Sequence, residues 1–205
     1  MTEETGRQIL PSATGFAARQ AIAVLRKHNL PIAPLLNRAG VSEDDIDNRQ
    51  RRISALAQGK LLEYAGEALG DDVFGLHLAQ QANPREVGLL FYVASAADDI
   101  GDALALTARY SRIVNEAARL KLIRSPEGVI AQTKFVGLPR HFAWQNTEFT
   151  IAALIKGFAG NGRPRLSANA GDVHPCAQLG VARVRTLLRL PRRVQRVSRS
   201  VRPFE

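Results

Sequence analysis

Between Gly88 and Val136 the spacing of apolar residues changes once, and that change limits the chain to a fold mixing helix and sheet. Up to Leu120 the repeat is helical. Asp99 stands where an N-cap is expected, with Asp102 three residues on, a variant of the capping box. Behind it Ala103, Leu106, Tyr110, Ile113, Ala117 and Leu120 recur every three or four residues, which marks one helix face. From Leu120 the period falls to two. Leu120, Leu122 and Arg124, then Val129, Ala131, Thr133 and Phe135, alternate on either side of Ser125-Pro126-Glu127-Gly128, and Pro139 closes the run. Alternation around a Pro/Gly turn predicts a β-hairpin.

Other segments carry helix signals. Ser12 opens one running to His28 with Ala17, Ala21, Val24 and Leu25 on a face, and a short one sits between Pro34 and Gly40. The acids at 42–47 form a capped turn or short helix. They lack the alternating ligands and central glycine of a calcium loop. Ser54 caps a helix to Leu69 with Gly70 as its stop. Asp71 and Asp72 open another through Phe74, Leu78 and Ala79, and a last one spans Phe142 to Phe158. The expected fold class is α+β, mostly helical, with a small antiparallel sheet built on a hairpin at 120–136. Expected boundaries are a flexible lead at 1–11, a domain at 12–167 and a basic tail at 168–205.

The 205 residues suffice for one domain with a real core. No stretch reaches the roughly 20 apolar residues of a membrane span, the acidic N-terminus lacks a secretory apolar region, and Cys176 alone forms no disulfide framework. A cytoplasmic protein with no membrane association is expected. The net charge of +9 is lopsided. Residues 161–205 hold ten arginines against Asp172 and Glu205, a surplus of eight, which leaves residues 1–160 near neutral. Body and tail therefore need separate explanations.

No catalytic constellation emerges. His28, His77, His141 and His174 have no metal-ligand spacing to one another or to Cys176, and the acid pairs sit where helix caps are expected. GFAGNG at 157–162 follows a helix instead of a strand, which argues against a phosphate loop. The expectation is a protein that is not an enzyme and has no metal or cofactor.

The order of these segments carries a resemblance. Its pieces are Asp72-x-Phe74-Gly75-Leu76, Gly88-Leu89-Leu90-x-Tyr92, Ala103-Leu104 with Ala108-Arg109-Tyr110, then the hairpin and WQNTEFTIAALIKGFAG. Over about residues 16–167 the chain resembles the N-terminal domain of AraC/XylS-type transcriptional regulators, in the arabinose-binding-like branch. The resemblance implies an effector-sensing and dimerising unit that binds a small molecule and forms a homodimer. In that family a C-terminal domain with two helix-turn-helix units contacts DNA. Residues 168–205 are too few for such a domain, so the expectation is a truncated regulator that meets DNA only through a functional tail or a full-length partner. Tyr92, Tyr110, Phe135, His141 and Trp144 are the candidate effector-binding residues, in a largely apolar pocket with few polar anchors.

The tail admits two readings. Its arginines suit phosphate contacts, with 184–190 as a basic amphipathic patch, which makes a nucleic-acid-binding protein the alternative. The family instead expects a strand, a helix and a segment like FFGCPVEF. A one-base shift at the codon of Ala168 permits a codon choice that yields that segment. On this reading the tail is out of frame, and the hairpin keeps an uncovered, aggregation-prone edge.

Overall fold

The computed structural model describes residues 10–125, 128–159, 167–168 and 183–189. The chain runs β1 (Ser12–Ala13), α1 (Phe16–Lys27), α2 (Ala33–Ala39), α3 (Glu43–Asp47), β2 (Ile53–Ser54), α4 (Ala55–Leu69) and α5 (Phe74–Gln81). It continues with α6 (Leu89–Ser95), α7 (Ile100–Val114), β3 (Ala118–Ser125), β4 (Gly128–Phe135), α8 (Trp144–Ala159), β5 (Ser167–Ala168) and β6 (Arg183–Arg189). This is an α+β fold in which helices dominate.

Local signals place most helix ends. The Asp99 side chain accepts from Asp102 N–H at 2.9 Å, so α7 starts where its cap predicts. Ser42 and Asp45 form a full capping box on α3, and Gly70 ends α4 with φ at 64°, a left-handed turn that suits glycine. The expected start of the first helix is wrong. Ser12 lies in β1, opposite Ser54 of β2, and α1 begins after Gly15. Ser12 caps nothing because its N–H and hydroxyl both donate to the Glu116 carboxylate, at 2.7 and 2.9 Å. Those bonds, the backbone one first, hold the Glu116 carboxyl below its ordinary range.

The hairpin forms antiparallel with Ala118 opposite Phe135 and Leu120 opposite Thr133, starting two residues earlier than expected. Alternate residues Ala131, Thr133 and Phe135 are buried. β4 is not an edge. β6 pairs along it from Val129 opposite Leu188 to Lys134 opposite Arg183, and β5 pairs with β6, giving the order β3-β4-β6-β5. The expectation that the hairpin leaves β4 uncovered therefore fails, and the stretch proposed as a basic amphipathic patch at 184–190 lies largely in strand β6. Residues 183–189 alternate Arg183, Arg185 and Arg189 with Val184, Thr186 and Leu188, a period that suits a strand. Pairing satisfies the row of backbone groups that β4 would otherwise leave open. His174, Cys176 and residues 190–205 lie outside the described residues.

The buried residues fall into three clusters instead of the single contiguous core usual for a domain. The first and largest packs α1, α2, α4, α5 and Phe149 of α8 around Ile22, Leu25, Leu61, Leu62, Phe74 and Leu78. The second joins Ala94, Ala103, Leu104, Ala131 and Phe158. The third is Ala13, Ala55, Ala117, Ala118, Phe135 and Ala143. Two glycines set how closely the helices approach. A Cβ on Gly75 of α5 would collide with the backbone oxygen of Gln145 in α8, and one on Gly59 of α4 with that of Phe142.

Candidate functional site

A cavity of about 150 Å³ lies where the three clusters fail to merge. Its floor is the hairpin face, with Ala118, Leu120, Thr133 and Phe135. α6 and α8 give apolar walls through Leu90, Phe91, Ala94, Phe149, Leu154 and Phe158. α7 contributes Thr107, Ser111 and Val114, and the first turns of α4 and α8 bring Gln58 and Asn146. Asn115, between α7 and β3, completes the polar part.

Most polar atoms in this lining are spoken for. The hydroxyls of Thr107, Ser111 and Thr150 donate to carbonyls of their own helices at 2.8, 3.2 and 2.7 Å. Gln58 Nε2 donates to Asn146 Oδ1 at 3.3 Å, and Ala117 N–H donates to Asn115 Oδ1 at 3.0 Å. Lys156 Nζ donates to the carbonyls of Gln80 and Ala82, both at 2.7 Å, where α5 ends. Its charge is therefore satisfied by a helix C-terminus. Three atoms remain: Asn115 Nδ2, Asn146 Nδ2 and Thr133 Oγ1 are buried without a hydrogen-bond partner among the described residues. Asn146 and Thr133 are each 1% exposed and Asn115 5%. Buried polar atoms are normally paired, and an unpaired one costs about 1–3 kcal/mol. Thr14 Oγ1, Gln132 Nε2 and Glu148 Oε2, away from the cavity lining, are likewise buried without a partner among the described residues.

Of the five sequence candidates, Phe135 lines the cavity and the other four lie outside its lining. Tyr92 is 58% exposed, because α6 turns Leu90 and Ala94 inward. Tyr110 is half-buried under the guanidinium of Arg109. His141 is exposed, with its ring 4.0 Å from that of Phe142. Trp144 begins α8 beside Glu63, whose carboxylate accepts from Gln145 N–H at 2.8 Å. Burial pushes the Glu63 carboxyl up to about 7, and burial also raises that of Glu148.

Sequence reasoning missed Thr107, Ser111, Asn115, Thr133 and Asn146 as lining residues. The predicted α7 face ran through Leu106, Tyr110 and Ile113, yet Ile113 is 45% exposed and the inward stripe is Ala103, Leu104, Thr107, Ser111 and Val114. A rule that seeks apolar residues selects the wrong stripe when the buried face must offer polar atoms. One signal was available. Gln145, Asn146, Thr147 and Glu148 are four consecutive polar residues, all buried. Such a run at the head of a helix with an apolar remainder points to a polar job inside.

Among the described residues no helix is long and apolar enough to cross a membrane, and no group of three or more His, Cys, Asp or Glu can hold a metal ion. No curated protein matches the chain. Two solved structures share the fold. One is described as "Crystal structure of an oxygen binding H-NOX domain related to soluble guanylate cyclases (oxygen complex)". It is 14% identical, with a TM-score of 0.55 over 86% of this chain and 94% of that one. The other, "Modulating Heme Redox Potential Through Protein-Induced Porphyrin Distortion", is also 14% identical, with a TM-score of 0.56 over 94% of this chain and 97% of that one. Residues 30–195 match the family described as the arabinose-binding domain of AraC transcription regulators, N-terminal, so the match continues through the stretch at 168–195. The capped α7, the hairpin floor and the motif at 72–76 are thus parts of one family pattern, and the chain belongs to the arabinose-binding N-terminal domain family of AraC-type transcription regulators.

Proposed function

We propose that this domain senses a small-molecule effector in the cavity between the hairpin and the helices, as the regulatory unit of an AraC-type transcription regulator. One observation carries the reading. A cavity of about 150 Å³ with an almost wholly apolar lining stands where the domain core would otherwise be continuous. An effector there joins the three clusters, so its binding free energy adds to the stability of the bound state. α7, β3, β4 and α8 all touch the cavity, so occupancy alters the packing of both layers. Catalysis has no place in this reading, since the cavity groups bind and do not react.

The two similar structures bear titles that speak of an oxygen-binding domain and of heme. Heme iron needs an axial His, Cys, Met or Tyr, and none of these lines the described cavity. Heme does not fit this lining.

A thermal-shift screen over organic acids, amines, sugars and neutral apolar carbonyl compounds tests the reading. The expected result is a rise in Tm for at least one class that Ala153→Phe, which fills the cavity, abolishes. If no class gives such a shift, the reading is wrong. Homodimerisation and DNA contact through a full-length partner belong to the same proposal. Sedimentation of the protein gives the first, and promoter binding by a mixture with an intact regulator gives the second. The out-of-frame reading of 168–205 is tested by the coding DNA: codons for 187–194 that cannot yield FFGCPVEF in the next frame end it. The tail as a nucleic-acid arm predicts DNA binding that deletion of 190–205 weakens, with a shallower salt dependence.

A further inference from the structure

We infer that the effector is a compact, uncharged molecule of hydrocarbon character, held in the cavity by shape and apolar burial with no hydrogen bond to the lining. The inference rests on the effector reading above and narrows its ligand.

Size comes first. A cavity of about 150 Å³ is near the volume at which an engineered apolar protein cavity takes up benzene. It suits one ring with a short substituent.

Polarity comes next. Residues that could anchor a polar ligand stand around the cavity, yet their polar atoms are bonded within the protein or closed off from the space. The hydroxyls of Thr107, Ser111 and Thr150 donate to carbonyls of their own helices. Gln58 Nε2 donates to Asn146 Oδ1, and Asn115 Oδ1 accepts from Ala117 N–H. The atoms left over, Asn115 Nδ2, Asn146 Nδ2 and Thr133 Oγ1, have almost no accessible surface. An atom that faces a space wide enough for a ligand is accessible from it. These three therefore do not face the cavity, and their residues line it with carbon. The half-buried part of the lining repeats the pattern with Val87, Phe91, Ala153 and Leu154. What a ligand touches here is almost wholly apolar.

Each polar class of ligand then meets a cost. A sugar carries an oxygen on nearly every carbon, and each hydroxyl that leaves water for this lining goes unpaired. The word arabinose in the family description thus does not carry over to this cavity. A carboxylate finds one cation among the described lining residues, Lys156, and that ammonium already donates to the carbonyls of Gln80 and Ala82. An amine finds no acid among the same residues. An ion buried without a partner charge is strongly disfavoured. A hydrocarbon has no polar group to strip of water, and its affinity grows with the apolar area it buries.

Calorimetry on the full chain tests this with toluene, phenol, ethylbenzene, benzoate and L-arabinose. Toluene and phenol have nearly one shape, with a methyl in place of a hydroxyl. Toluene is expected to bind about tenfold more tightly than phenol, because the phenol hydroxyl leaves water without gaining a partner. Ethylbenzene is expected to gain about fourfold over toluene from its extra CH2. Both ratios are read on the unaltered chain and need no variant to fold. Ala153→Phe, with folding checked by circular dichroism, is expected to abolish toluene binding. Phenol binding as tight as toluene overturns the inference. So does binding of benzoate or L-arabinose tighter than that of toluene which Ala153→Phe removes, and in that case the effector reading itself survives. Toluene binding that a folded Ala153→Phe variant retains overturns it too, as does failure of every probe, and the wider screen above then decides the effector reading separately.

Discussion

The layer built from α1, α2, α4 and α5 is filled with Ile22, Leu25, Leu61, Leu62, Phe74 and Leu78, all 2% exposed or less. The layer between α6, α7, α8 and the hairpin buries small residues, Ala94, Ala103, Ala118 and Ala131, and surrounds a cavity with Thr, Ser and Asn side chains. The first is closed around these large side chains and meets the cavity at its margin, through Phe16, Ala17 and Ala79, whereas the second leaves room. Close packing maximises dispersion and apolar burial, so the first region supplies stability. The second gives up part of both, the trade expected where binding is the purpose.

The contrast breaks first at its glycines. Gly75→Ala forces a Cβ against the Gln145 backbone oxygen and disturbs the bond from Gly75 N–H to Gln145 Oε1, 2.6 Å long. A loss of roughly 3 kcal/mol or more is expected in urea unfolding, a large share of a domain's stability. Gly157 on α8 lines the cavity, and its nearest neighbour to an added Cβ is Pro84 at 3.9 Å, an ordinary contact. Gly157→Ala is therefore expected to stabilise, by about 0.5–1 kcal/mol, through helix propensity. If both substitutions cost the same, the two regions are not packed differently.

Leucine truncation gives the next test. Leu62→Ala in the packed layer is expected to cost about 3 kcal/mol, and Leu154→Ala at the cavity about 1 kcal/mol, because Leu154 is only half-buried and has less apolar contact to lose. Calorimetric unfolding of both variants reads the difference. Thr133→Val follows. It removes a buried hydroxyl with no partner among the described residues and should raise stability by about 1 kcal/mol. A loss of stability would mean that the hydroxyl is paired.

The pH dependence of stability belongs to Glu63, in the packed region. Its folded pKa of about 7 lies above the unfolded value near 4.3, so the folded protein holds the proton more tightly. Stability is thus favoured below about pH 4.3 and falls as pH rises to about 7, by on the order of 1 kcal/mol once solvent screening of this half-buried group is allowed for. Glu148 shifts in the same sense. Glu116 is opposed: its lowered pKa stabilises above the unfolded value and is lost as pH falls through the folded one. Glu63→Gln is expected to flatten the decline between pH 5 and 7 in Tm measurements. An unchanged pH slope would remove Glu63 from the account.

Much of the architecture was legible without coordinates. Asp99, Ser42, Ser54 and Gly70 mark ends because caps act through neighbouring backbone groups. The hairpin was legible because alternation on one face is local as well. Ser12 was misread because its partner, Glu116, lies 104 residues away. Gly75 stood in the family motif, yet only the approach of α5 to α8 shows why glycine is needed there.

The sequence by itself determined the class of fold, the kinds of elements and the family pattern, all of which depend on period, capping and local order. Tertiary structure decided that β6 covers β4, which stripe of α7 turns inward, and which polar atoms meet without partners. Those outcomes depend on contacts between elements far apart in sequence, such as Thr133 of β4 opposite Val184 of β6 and Gln58 of α4 bonded to Asn146 of α8. A side chain's neighbours, and not its own chemistry, decide whether it is satisfied or left without a partner.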